Sequence, residues 1–169
     1  MFILSRRRRQ SRNYNKNKQE ILCVGLCCLD IISQLPQFPK EDTDQRCHDQ
    51  RWQRGGNAAN NCTVLGLLGA KPSFLGTIAG SHEKTFLLDD FAKYNVDTKC
   101  VVVHEDCDCP ASCVILSMET GSRTIIHSNK NLPELTVEDF CKVNLSAFRW
   151  VHFELCCTLV MVLYWSEGS

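Results

Sequence analysis

The segment Arg54-Gly55-Gly56-Asn57-Ala58-Ala59-Asn60-Asn61 carries the most chemistry in the chain. Two glycines ahead of a helical stretch leave backbone N–H groups open to close approach by a ligand. Asn57 and Asn60, three positions apart, fall side by side on the first helical turn. Two amides facing one point both give and accept hydrogen bonds, which suits a polyhydroxylated ligand whose hydroxyls do the same. An Asn capping the helix after a tight glycine turn would read identically. The segment is neither a G-x-x-x-x-G-K-[ST] phosphate loop nor a G-x-G-x-x-G dinucleotide turn. Asp30 follows the first apolar run and falls beyond the carboxyl end of a strand, where ligands collect on open parallel sheets. A carboxylate there can accept from two adjacent hydroxyls; an Asp opening a turn would look alike. Arg123, just past a Gly-containing loop, can meet an anionic phosphate or stand as a solvated strand-edge charge. His82, His104, His127 and His152 have no Ser or Cys partner in a nucleophile setting, and no catalytic role is given to them.

The elements that must hold these residues follow from periodicity. Ile21-Leu22-Cys23-Val24-Gly25-Leu26 is a continuous apolar run, expected of a strand covered on both faces and so of a parallel sheet. Gly55-Gly56 opens a helix whose apolar positions are Val64, Leu65 and Leu68, stopped at Gly69. A second strand is expected over 73–78 and a second helix over 82–94, with Phe86, Leu87, Asp90, Phe91 and Tyr94 as its inner stripe, apolar but for one acid. A third strand is expected over 99–103. Residues 112–116 and 123–127 flank Glu119-Thr120-Gly121-Ser122 as a hairpin. Thr136 and Asp139 have the spacing of a capping box, and Trp150-Val151-His152-Phe153 reads as a further buried strand. Strands alternating with helices, plus one hairpin, predict an α/β domain on a parallel sheet.

Charge and cysteine content exclude several function classes. The chain has 169 residues and a formal net charge of zero, yet residues 1–18 carry seven bases and no acid, leaving 12 bases against 19 acids beyond them, a net of −7. A folded surface that binds nucleic acid shows a basic face, and nothing past residue 18 clusters that way, so no nucleic acid is expected as a partner. The first 19 residues read as a basic, disordered extension. Phe2-Ile3-Leu4 before four arginines is no secretory signal, so the 12 cysteines are expected as reduced thiols in a cytoplasmic protein. Cys107-x-Cys109-x-x-x-Cys113 lacks zinc-module spacing, and no metal site is expected. The apolar run Leu155 to Ser166 is 12 residues long, short of the roughly 20 that span a bilayer, so no membrane partner is expected.

Together these phrases resemble the ribokinase-like, or PfkB, carbohydrate kinases. The resemblance rests on Ile21-Leu22-Cys23-Val24-Gly25 followed by Leu29-Asp30, on Pro39-Lys40-Glu41-Asp42, and on Arg51-Trp52-Gln53-Arg54-Gly55-Gly56-Asn57-Ala58. It continues through Thr63-Val64-Leu65, Gly121-Ser122-Arg123-Thr124-Ile125, Leu132-Pro133, Glu138-Asp139-Phe140 and Trp150-Val151-His152. It runs from Glu20 to Glu154, and the string from Arg51 to Asn57 favours the fructose-phosphorylating members over ribokinase or adenosine kinase. It implies a ribokinase-like parallel sheet with helices on both faces and a small β lid, formed by residues near 30–51 and the 112–127 hairpin, which also clasps a second subunit as a homodimer. It implies phosphorylation of fructose, or a related ketose, at the 1-hydroxyl with ATP and Mg2+. Asp30, Gly56, Asn57 and Asn60 fall on the family's sugar-binding positions, and Arg123 on a position that contacts the nucleotide's phosphates.

One departure matters. The family's Gly-Ala-Gly-Asp motif, whose Asp acts as the base, and its ATP-binding loops belong to a second half, and this chain contains no such motif. No catalytic residue is therefore assigned, and the chain alone is expected to be inactive. It divides into an extension (1–19), the kinase-like part (20–154) and a divergent apolar tail (155–169), expected to resemble read-through or an alternative exon. The last parallel strand is expected to leave an open edge, which the 155–165 run could cover.

Overall fold

The computed structural model describes the backbone of residues 2–5 and 19–154 and the side chains of residues 21–154. In chain order the elements are β1 (Phe2–Ser5), β2 (Gln19–Val24), β3 (Cys28–Leu35), β4 (Asp49–Gly55), α1 (Asn57–Leu67), β5 (Pro72–Leu75), β6 (Thr77–Ala79), α2 (Glu83–Lys93), β7 (Val102–His104), β8 (Ala111–Ser117), β9 (Arg123–Ser128), α3 (Val137–Cys141) and β10 (Phe148–Phe153), with a 3-10 turn at Leu145–Ala147.

β2 is covered on both faces, as its unbroken apolar run requires. Cys23 packs with Ala58, Ala59, Cys62, Phe74 and Phe91 beneath α1 and α2, while Leu22 and Val24 pack with Leu75, Phe140 and Phe153 on the side of α3. Its neighbours β10 and β5 run parallel to it, in the order β1-β10-β2-β5. A second four-stranded sheet, β4-β3-β8-β9, forms the lid, with β3 parallel to β8 and the outer pairs antiparallel. The α/β class and the ribokinase-like arrangement of sheet, helices and lid are as expected.

Several details differ from the sequence reading. The strand expected over 73–78 breaks at Gly76, and β6 leaves the main sheet to pair with β7, which sits at 102–104 rather than 99–103. In α1 the buried side chains are the small ones, Ala58, Ala59 and Cys62, because the helix lies close against β2 and β5. Of the stripe expected at Val64, Leu65 and Leu68, only Leu65 packs against the core, while Val64 and Leu68 are 54% and 78% exposed. In α2 the stripe holds through Leu87 and Phe91, and its lone acid, Asp90, has a partner described below. The capping box at α3 forms as its spacing predicts: Thr136 Oγ1 accepts from the Asp139 N–H, and Asp139 Oδ2 accepts from the Thr136 N–H.

The extension expected to be disordered over 1–19 is corrected at both ends. Phe2–Ser5 form β1, antiparallel to β10 with Phe2 opposite Phe153 and Ser5 opposite Trp150, and Gln19 already begins β2. An edge strand presents a row of unpaired N–H and C=O groups, and a short β-prone segment satisfies it. The cover expected from residues 155–165, like the whole of the 155–169 tail, lies outside the described residues.

Candidate functional site: the mouth of α1 beneath the lid

α1 begins without a side-chain cap. Its N-cap residue is Gly56, at φ +97°, and a Cβ there would stand 2.1 Å from the Leu26 carbonyl oxygen, so only glycine fits. The Asn cap that the sequence allowed does not form. Asn57 and Asn60 are exposed, and among the described residues neither side chain makes a hydrogen bond to the protein. Both amides are open to solvent.

What satisfies the first turn instead is Glu154, reaching back from the end of β10. Its Oε2 accepts from the Leu26 N–H at 2.9 Å and the Ala58 N–H at 3.2 Å. A carboxylate is favoured at a helix N-terminus, where unsatisfied N–H groups and the helix dipole both point at it. Glu154 gave no signal in the sequence, since the partners lie 128 and 96 residues away. One turn along, the Asn61 side-chain amide faces His152 Nε2 at 2.9 Å. Burial holds the His152 imidazole below its ordinary range, with the Glu154 charge opposing.

Asp30 lies within β3, paired with Gln53 of β4 and Ser112 of β8, and so does not open a turn. Its carboxylate packs over Gly55, both oxygens 2.5 Å from where a Cβ would sit, so a side chain at 55 would displace it. Gly55 is two residues from Asn57, at most about 7 Å of chain, and Asn60 lies one turn further. The structure thus brings Asp30, Gly56, Asn57 and Asn60 to one corner. Arg123 is not brought there. It opens β9 opposite Leu116, on the face of the lid that carries Asp30, but four residues further along β8 than Ser112, about 13 Å.

Beneath this corner, Arg54 locks the lid to the body. Only 2% of its side chain is exposed; its Nε donates to Asp90 Oδ2 at 2.9 Å and a terminal nitrogen donates to Thr63 Oγ1. Its guanidinium lies 4.1 Å above the Phe91 ring, which stacks on Phe74. The pair explains the acid in the apolar stripe of α2. A separate open cavity of about 750 Å³ lies between the start of α2 and residues 105–108. Its polar walls are already bonded to one another, Lys84 to Glu105 at 3.5 Å and the Asp108 N–H to Asn131 Oδ1 at 2.8 Å, and it holds none of the hydroxyl-binding candidates.

A parallel sheet sandwiched by helices, with a β lid over the start of the first helix, is the architecture of the ribokinase-fold kinases. The chain superposes on ribokinase from Thermotoga maritima with a TM-score of 0.62 at 19% identity, covering 76% of this chain and 41% of that one. It superposes on a sugar kinase from Pyrococcus horikoshii, solved in complex with ATP, with a TM-score of 0.60 at 22% identity, covering 75% and 39%. The pattern of the pfkB family carbohydrate kinases matches residues 18–161. The chain belongs to that family. It is 50% identical to mouse ketohexokinase over 137 residues, 81% of this chain and 46% of the relative, so it spans about half the length of the curated relative it matches.

Proposed function

We propose that the corner formed by Asp30, Gly56, Asn57 and Asn60 is the sugar site of an ATP-dependent ketohexose kinase, with fructose as the ligand. The observation that carries this reading is the uncapped start of α1: two unbonded amides share its first turn, next in the chain to a glycine pair over which a carboxylate is held. Asp30 accepts from two sugar hydroxyls, Asn57 and Asn60 both donate and accept, and Gly56 lets the sugar approach bare backbone. Half identity to mouse ketohexokinase supports a ketose over a pentose or nucleoside. ATP with Mg2+ supplies the phosphoryl group in the complete enzyme, and Arg123 is the residue of this chain that we assign to its phosphates. No residue here is assigned as the base, so the chain alone binds sugar without turning it over.

Calorimetry with fructose, ribose and adenosine tests the reading. Fructose should bind the wild type, Asp30→Asn and Asn57→Ala should each weaken it about tenfold or more, and phosphoryl transfer from MgATP should be undetectable. Binding of adenosine in preference to fructose would move the assignment to another substrate of the family.

A partner role is favoured by the outer part of the lid. Ile126 is 62% exposed and Trp52, whose ring also packs edge-on against Phe86 of α2, is 50% exposed, both on the face opposite Asp30. We assign this face to pairing with a second kinase subunit, of this chain or of a longer family member.

A further inference from the structure

β10 is packed on one face and open on the other. On the side of α3 its Val151 and Phe153 pack with Leu22, Val24 and Phe140. On the side of α1 stand Trp150 and His152, in register with Ile21 and Cys23 of β2. A strand inside a parallel sheet is buried on both faces, as β2 is. Trp150, expected in a buried strand, is 41% exposed.

α1 runs antiparallel to β10, and two contacts fix their alignment. The Ala58 N–H meets Glu154, and Asn61 meets His152 one turn on. Two residues of strand advance about 6.6 Å and four residues of helix about 6 Å, so the next turn of α1, at Val64 and Leu65, falls abreast of Trp150. Leu65 packs against the core. Val64 and Leu68, three and seven positions from Asn61, share its side of the helix and are 54% and 78% exposed. Trp150, Val64 and Leu68 thus line one apolar shelf. Packed helices lie about 8–10 Å apart and neighbouring strands about 4.8 Å apart, so a segment packed beside α1, which covers β2 and β5, would sit over β10 and β1.

We propose that this shelf is the docking site of the chain's own apolar run, Leu155 to Trp165. The run carries no charge and starts at the residue after Glu154, whose carboxylate is held at the start of α1, so it leaves β10 beside the upper end of the shelf. β1 already pairs with the edge of β10, and the α3 side is filled, which leaves the run the α1 side. Its eleven residues equal the eleven of α1, about 16 Å in helical form, enough to pass Trp150 and reach the level of Leu68. Docking there removes apolar surface of the shelf and of the run from water together.

Hydrogen exchange of the full chain, read by mass spectrometry, tests the proposal. Amides of residues 155–165 should be protected about tenfold or more over a free peptide of that sequence, equally in dilute and in concentrated solution. The double variant Val64→Gln, Leu68→Gln should lose most of that protection while β2 stays protected, since both positions are exposed and Gln suits a helix. Trp150→Gln should do the same, and if it also exposes β2 the double variant decides. Met118→Gln, at a residue 51% exposed on the lid, should change neither region. Absence of protection in the wild type, protection that survives the double variant, or equal loss in Met118→Gln would each overturn the proposal. Protection confined to concentrated solution would overturn it too and would assign the shelf to a second copy of the chain.

Discussion

β2 and β9 make an instructive pair. In β2, Leu22, Cys23 and Val24 are fully buried between helices on both faces, whereas all six residues of β9 are exposed. The body therefore owes its shape to burial, whereas in the lid the inner strands β3 and β8 still bury Leu29, Ile32, Leu35 and Val114 and the outer strand β9 is held by pairing alone. Polar anchors lie at the seam, where Arg54, Glu154 and Asp30 join α1, β10 and the lid. The proposed sugar site would then lie between a body buried on both faces and a lid whose outer strand is fully exposed, which suits an element that must admit a ligand.

If that division holds, substitutions should lose effect from seam to lid. The largest effect should come from Asp90→Ala, which leaves the buried Arg54 guanidinium with only Thr63 and the Phe91 ring. Breaking a buried pair costs about 3 kcal/mol or more, and Asp90 is 18% exposed, which favours the lower end. Urea unfolding followed by circular dichroism measures it, and a cost below about 1 kcal/mol would mean that Arg54 does not join the two layers. Glu154→Ala should come next, at about 1–2 kcal/mol, because the Leu26 and Ala58 N–H groups lose their shared acceptor. Glu154→Gln keeps an acceptor and should recover part of that. Amide exchange at residues 57–60 would show whether the loss is local to the start of α1.

Thr136→Ala should cost about 1 kcal/mol, since it removes one half of the α3 capping box. The Thr136 hydroxyl and then Lys142 hold the Asp139 carboxyl below its ordinary range. Its contribution is therefore present above the usual aspartate range and is lost as pH falls through and below it. Melting temperatures recorded from pH 6 to pH 3 should draw closer for wild type and Thr136→Ala without meeting, because acid weakens the Thr136 hydroxyl's bond to the Asp139 carboxylate and leaves the Asp139 N–H bond to Thr136 Oγ1 in place.

The body was legible in the sequence because burial on both faces leaves an unbroken apolar run, as in β2, and because a capping box is a local pattern. α1 was misread for a physical reason: a helix pressed against a sheet buries alanine and cysteine, so size misleads, and Val64 and Leu68 point out. Asp30, Gly56, Asn57 and Asn60 could be singled out because their types suit hydroxyl binding and a known family repeats the string around them. Glu154 and Asp90 could not. Each works through a partner distant in sequence, and nothing in a glutamate at a strand end says which helix it will reach.

The smallest effect on stability should be that of Ile126→Lys. The residue is 62% exposed and stands opposite Cys113, itself exposed, so its replacement should change unfolding by no more than about 0.5 kcal/mol. Association is where it should act. A lysine on this face adds a charge that pairing would have to bury, and two copies related by a twofold axis would each bring one. Sedimentation velocity of the wild type should show a concentration-dependent dimer, and Ile126→Lys should remain a monomer across the same range. If the variant associates like the wild type, the lid face does not carry the contact. The contrast between a body held by burial and a lid open to partners would then fail at its open end.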